Sequence, residues 1–231
     1  MLAYWKASAS AAYSFFMSLG LLVGYEVLMR VTGGSVADRN LVDQWLMRFL
    51  SWAAPYEWVI SLGIALVGLA YIYGIRQEKV LLTEWVFFLM LVEAAGWAFL
   101  LYKGLPLLAG RLQEVSAAQL GWLMPEFWQR IAQCMGAGFY EELFFRVLLV
   151  EGLLLVFTGL QSRRAAPIHL IGAWTISAAL FSAAHFLYEP PTTYAFFYRF
   201  LFGLIMSGLY ILRGLGITAW AHALYDMYVI V

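Results

Sequence analysis

Three short groups of polar and aromatic residues in the C-terminal half have the types and the spacing to do chemistry. In chain order they are Glu141, Glu142 and Arg146, then Phe181 and His185, then His222 and Asp226. Residues four positions apart lie on one face of an α-helix. A carboxylate that accepts a proton, with imidazoles that orient or shuttle it, can activate a water molecule. Hydrogen-bond donors can then stabilise the oxyanion that forms on an attacked carbonyl.

The first group combines a charge pair with a separate carboxylate. Glu142 and Arg146 are expected to pair, because they lie about one helical turn apart. Glu141 points about 100° away from Glu142 on a 3.6-residue helix, so it can face a separate cavity. In the alternative interpretation both carboxylates serve only Arg146 and hold the helices together. That alternative is weaker in an apolar segment, where each ionisable side chain implies a partner or a function.

The other groups have structural alternatives too. Phe181 is expected to pack beside the His185 imidazole, and a lone histidine on an apolar helix is often only a packed residue. Cys134 is expected to be a packing residue, because a buried thiol without an activating partner is inert. Ser182 is near His185, but no carboxylate stands near it in sequence to orient the imidazole. Water is therefore the expected nucleophile.

The composition predicts that a bilayer surrounds the elements that position these residues. Of the 231 residues, 64% are apolar and 12% are charged, against about 25% charged in a soluble domain. This composition makes a soluble enzyme, a disordered chain or a nucleic-acid-binding protein improbable. A helix needs about 20 mostly apolar residues to cross the hydrocarbon layer. Seven segments meet or approach that length, namely 7–25, 58–75, 80–102, 131–157, 165–188, 194–212 and 215–231.

The expected fold is therefore an all-α, polytopic membrane helical bundle of about seven transmembrane helices. One membrane domain is expected over residues 1–231, with a catalytic core over 127–231. The apolar positions between 41 and 50 recur opposite Asp43 and Arg48, which predicts an amphipathic helix in the membrane interface. Two polar pairs are also expected, Glu26 with Arg30 at the end of the first segment and Glu93 with Arg199 across the bundle.

In this order the three groups resemble the CPBP (CAAX protease and bacteriocin-processing) family of intramembrane glutamate-type endopeptidases, which includes the Rce type. The resemblance covers about the last 90 residues of the chain, from 141 to 226. It implies that Glu141 is the general base for water and that His185 acts with it. It also implies that Glu142 and Arg146 support Glu141.

By the same resemblance His222 and Asp226 stabilise the oxyanion. An ionised Asp226 cannot donate a hydrogen bond, so it is either protonated through burial or only orients His222. The family implies no cofactor. The alternative is a zinc ion, for which Glu141, His185 and His222 would make an acceptable ligand set with one open position.

The implied function is hydrolysis of a peptide bond in a membrane-anchored protein or peptide, with the lipid bilayer as the other partner and without nucleic acid. The resemblance also implies a multi-pass protein located in a prokaryotic inner membrane. One alternative is a non-catalytic immunity or scaffold member of the family, which would have no need of Glu141, His185 and His222. Another is a proton-coupled transporter, which would typically show repeated halves with broken helices.

Overall fold

A computed structural model of the chain describes residues 2–50, 57–76, 81–109, 124–159, 166–187 and 189–230, and within these ranges it contains helices and no strand. The α-helices are α1 (Leu2–Ser8), α2 (Ala11–Val31), α3 (Leu41–Phe49), α4 (Glu57–Ala70), α5 (Glu84–Leu108), α6 (Met124–Gly136), α7 (Glu151–Thr158), α8 (Pro167–Ala184) and α9 (Thr193–Ile230). This architecture confirms the all-α prediction. The predicted segment ends at 80, 165, 188 and 231 lie outside the described residues.

Several α-helices continue as a π-helix or a 3₁₀-helix at one end. Two π-helical stretches, Ala137–Glu141 and Leu143–Val150, join α6 to α7 into one helical segment over 124–158. A π-helical turn, Tyr71–Arg76, extends α4, and a 3₁₀ turn, His185–Leu187, extends α8. In a π-helix the backbone bonds span five residues, and such turns occur frequently at functional sites. The carboxylates of the first group lie within this π-helical region.

In the part of the chain that the structure describes, four helices are long and apolar enough to cross a membrane, namely Ala11–Val31, Glu84–Leu108, Pro167–Leu187 and Thr193–Val229, and a shorter apolar helix covers Trp58–Gly74. The longest of them accounts for two predicted segments, because α9 is broken at Gly214 (φ 76°, ψ 177°). This positive φ is accessible to glycine and strained for other residues. The chain is thus an integral membrane protein, with a helical segment at each of the seven predicted places.

Burial follows the bundle. The largest fully buried side chains include Tyr25, Tyr140 and Phe181. Large apolar side chains on α4 and α5 are more than half exposed, such as Leu66, Val67, Phe88 and Leu100. An apolar surface of this kind is unfavourable in water and matches the hydrocarbon of a bilayer.

Helix α9 lies at the centre, in contact with α2, α5, α6, α8 and the π-helical stretches. The backbone N–H of Gly216 donates to Ser14 Oγ at 2.7 Å, and the Trp220 indole donates to the Met17 carbonyl at 2.7 Å. A Cβ on Gly138 would lie 2.4 Å from the carbonyl oxygen of Ala219. The π-helical region therefore approaches α9 at a distance that only glycine permits.

Both predicted polar pairs are wrong. Glu93 pairs with Arg213, at 2.6 Å from Nε to Oε1, whereas Arg199 pairs with Glu189. Both arginines lie in α9 before its break at Gly214, but of the two it is Arg213 that lies level with Glu93 on α5. Tyr4 completes this cluster by donating to Glu93 Oε2 at 2.5 Å.

Glu26 likewise pairs with Arg39 rather than with Arg30, which is exposed at the end of α2. The connection after α2 turns back, so that Arg39 covers Glu26. Asp43 was expected on the polar face of α3, but its side chain is fully buried and accepts from Arg39 Nε at 2.5 Å. Helix α3 therefore turns a carboxylate towards the bundle.

Candidate active site

The site is organised around Glu142, whose side chain is fully buried. One carboxylate oxygen, Oε1, accepts a hydrogen bond from His222 Nδ1 at 2.6 Å. The other, Oε2, lies 3.1 Å from Arg146 Nε. The Arg146 N–H is not directed at that oxygen, so this contact is an ion pair rather than a hydrogen bond. Glu142 thereby links the π-helical region to α9.

Arg146 is also fully buried, and its guanidinium is enclosed by α8 and α9. Its Cζ lies 4.7 Å from the centre of the Phe181 ring, and Nη2 lies 3.5 Å from the Gly203 carbonyl oxygen. A guanidinium over an aromatic face is stabilised by the ring quadrupole. The predicted pairing of Arg146 with Glu142 is present, with Phe181 as an additional neighbour.

His222 lies between two carboxylates. Opposite the contact with Glu142, its Nε2 lies 3.5 Å from Asp226 Oδ2. The ring packs edge-on against Phe202, with 4.8 Å between the ring centres. A carboxylate only accepts, so His222 Nδ1 carries the proton of the hydrogen bond to Glu142. Nε2 faces Asp226 on the opposite side of the ring.

Glu141 has different surroundings from its neighbour. Its side chain is buried, and Oε1 accepts a hydrogen bond from Asn40 Nδ2 at 2.9 Å. Asn40 comes from the start of α3, far from the three groups in sequence. Among the described residues, no cation forms an ion pair with Glu141. The two adjacent carboxylates thus have different partners.

His185 is the first residue after α8, and its Nδ1 lies 2.9 Å from the Phe181 carbonyl oxygen. A carbonyl only accepts, so Nδ1 carries the proton and Nε2 has the lone pair. The Phe181 ring lies 4.9 Å from the His185 ring and 6.1 Å from the His222 ring, edge-on to both. Phe181 therefore lies against both imidazoles.

The structure brings the first and third groups into direct contact through Glu142. His185 joins them through Phe181, and within the described chain it has no hydrogen bond to Glu141. The Ser182 hydroxyl donates to the Phe196 carbonyl at 2.8 Å, so it is not directed to His185. Cys134 is a buried free thiol.

The alternative zinc set consists of Glu141, His185 and His222. His222 directs Nδ1 to Glu142 and Nε2 towards Asp226, and His185 directs Nδ1 to a carbonyl. In the described ranges no three His, Cys, Asp or Glu side chains are grouped to hold a metal ion.

The three groups of residues in this site lie within a segment that matches a known protein family. Residues 122–228 match the family described as type II CAAX prenyl endopeptidase Rce1-like. These residues form an Rce1-like domain. The domain contains the three groups of residues from which the resemblance was inferred, and so the family prediction is confirmed. No curated protein and no solved structure matches this chain.

Asn40 lies outside the Rce1-like domain and was missed by sequence reasoning. An asparagine before a helical run is an ordinary N-cap signal, and nothing in its spacing indicates contact with a residue 101 positions away. The available signal was its place at the start of a predicted amphipathic helix. The structure adds that this helix start faces the site.

Proposed function

We propose that this protein is an intramembrane endopeptidase that hydrolyses a peptide bond of a membrane-anchored protein or peptide, with Glu141 as the general base. The Rce1-like domain supports a CAAX-protease-like endopeptidase in general. The observation that carries the finer proposal is the division between the two carboxylates. Glu142 is occupied by Arg146 and His222, whereas Glu141, among the described residues, accepts one hydrogen bond, on Oε1 from the neutral Asn40 amide.

In the proposed reaction Glu141 takes a proton from water as the water oxygen attacks the scissile carbonyl. His185 accepts a hydrogen bond from this water at Nε2, which its tautomer leaves unprotonated. The carbonyl oxygen becomes an oxyanion, and the C–N bond then breaks. Glu141 returns its proton to the departing amine, so the proton count balances.

His222 is proposed to stabilise the oxyanion. The Glu142 carboxylate holds Nδ1 and orients the ring, and in the doubly protonated ring Nε2–H donates to the developing charge. Asp226 lies beside Nε2 and either orients this ring or, when protonated, adds a second donor. Arg146 balances the charge of Glu142 within the apolar bundle.

The test compares Glu141→Gln with Glu151→Gln in the producing cell. Glu151 lies on the same helical segment but is exposed, so it is a matched control. A membrane-anchored precursor should accumulate in Glu141→Gln only, because the amide cannot accept the proton from water. Purified wild-type protein in liposomes should cleave that precursor, and Glu141→Gln should not.

The same assay defines the substrate class. Cleavage of prenylated and unprenylated forms of the precursor is compared at equal concentration. If no precursor accumulates in the cell, or if the wild type cleaves neither form of one that does, the protease proposal is overturned. A non-catalytic scaffold or a transporter would then be favoured.

A further inference from the structure

Asn40 presents its amide to Glu141 in a fixed orientation. As the N-cap of α3, its Oδ1 accepts from the Val42 backbone N–H at 3.0 Å. A backbone N–H can only donate, so the oxygen faces Val42 and Nδ2 faces Glu141. The residue is 6% exposed. The hydrogen bond to Glu141 therefore lies within the protein interior.

The backbone of Asn40 is held as well. Its N–H donates to the Tyr25 hydroxyl at 3.0 Å, and this hydroxyl donates to Asp43 Oδ2 at 2.9 Å. Asp43 is fixed in turn by its ion pair with Arg39. The cap, the tyrosine and the ion pair restrain Asn40 through both its backbone and its side chain.

We infer that Asn40 is a positioning residue for Glu141, supplied to the Rce1-like domain by the N-terminal part of the chain. The inference rests on the proposed function. One donor on Oε1 fixes the rotation of the carboxylate and leaves Oε2 to face water. The donor is a neutral amide, and among the described residues Glu141 forms no ion pair. Glu142, next in sequence, has the opposite arrangement, with a buried cation beside it.

The competing explanation is that Asn40 only caps α3. Two substitutions separate the explanations, because Ser, Asp and Asn are similar N-caps. Asn40→Ser keeps the cap but has no amide to reach Glu141. Asn40→Asp keeps the cap and the shape but places a carboxylate against Glu141. A residue that only caps should tolerate both changes.

For the positioning role we expect kcat to fall about 10- to 100-fold in Asn40→Ser, the scale of a lost hydrogen bond to a charged group. KM should stay unchanged, because the contact is with the base and not with the substrate. Asn40→Asp should lose more activity than Asn40→Ser.

Ser10→Ala is the matched control for capping. Ser10 caps α2 by accepting from the Tyr13 N–H, outside the site. This substitution should lower the melting temperature and leave kcat of the folded protein unchanged. If Asn40→Ser and Asn40→Asp both behave in this way, the inference is overturned.

A second measurement does not depend on activity and so separates this inference from the proposed function. The infrared carboxylate bands of Glu141 are identified by the difference spectrum against Glu141→Gln. Loss of the Asn40 donor should shift these bands in Asn40→Ser and leave them unchanged in Ser10→Ala. An unchanged Glu141 band in Asn40→Ser overturns the inference, whether or not a substrate is cleaved.

Discussion

Replacing Arg146 with Met should destabilise the bundle strongly. The substitution keeps a long side chain against Phe181 but leaves Glu142 without its cation. Arg146 Nε and Glu142 Oε2 are 3.1 Å apart, with both side chains fully buried. At this distance the attraction is about 5 kcal/mol for an effective dielectric constant of about 20. Breaking a buried pair by removing one partner costs about 3 to 5 kcal/mol, so the two estimates agree.

The free energy of unfolding in mixed micelles, titrated with a denaturing detergent, measures this loss. The double variant Glu142→Gln/Arg146→Met is the control, because it removes both charges. It should recover at least half of the free energy of unfolding that Arg146→Met loses, since that loss arises from an unpaired charge rather than from lost packing. It should stay inactive, because the carboxylate that holds His222 Nδ1 is replaced by an amide.

Two results would refute this reasoning. One is a single variant within about 0.5 kcal/mol of the wild type, the range of ordinary surface substitutions. The other is a double variant no more stable than Arg146→Met, which would mean that the arginine acts through its packing alone.

Three further predictions follow from other parts of the bundle. Gly214→Ala should lower the free energy of unfolding by about 1 to 2 kcal/mol, because its φ is positive, and its Cβ would meet Ser14 Oγ at 2.9 Å. Gly208→Ala, with no atom near its Cβ, should be neutral or stabilising in the same titration. Glu93→Gln should lower the melting temperature by weakening the contact with Arg213, and an unchanged value would contradict that pairing. Cleavage should persist in a strong chelator with metal content below one ion per chain, whereas recovery of lost activity by added zinc would reverse the assignment of Glu141 to water alone.

Local spacing made the chemical groups readable from sequence. Glu142 with Arg146, and His222 with Asp226, are each four residues apart, and both helix types keep such residues close. The break between the last two predicted segments was also readable, because it falls at Gly214. These features depend on near neighbours in the chain.

Partners across the bundle were not readable. Several arginines carry the charge that could pair with Glu93. The position of each arginine along its helix decides which one does, and Arg213 rather than Arg199 lies level with Glu93. The π-helical geometry was missed because its residues are ordinary helix formers. The burial of Asp43 was missed because helical periodicity assigns polar residues to the exposed face of a helix. In the structure the buried Arg39 pairs with Asp43, so this carboxylate faces the protein interior.

The central position of α9 sets an order of assembly. The ribosome makes α5 and the 124–158 segment before it makes α9, yet α9 carries the cation for Glu93 and the imidazole for Glu142. An unpartnered ionisable side chain costs a few kcal/mol in a bilayer. During synthesis Glu93 is therefore in place before the arginine that pairs with it, whereas Glu142 already has Arg146 on its own segment. A nascent chain interrupted before Arg213 should be a substrate for membrane quality control rather than a stable smaller bundle.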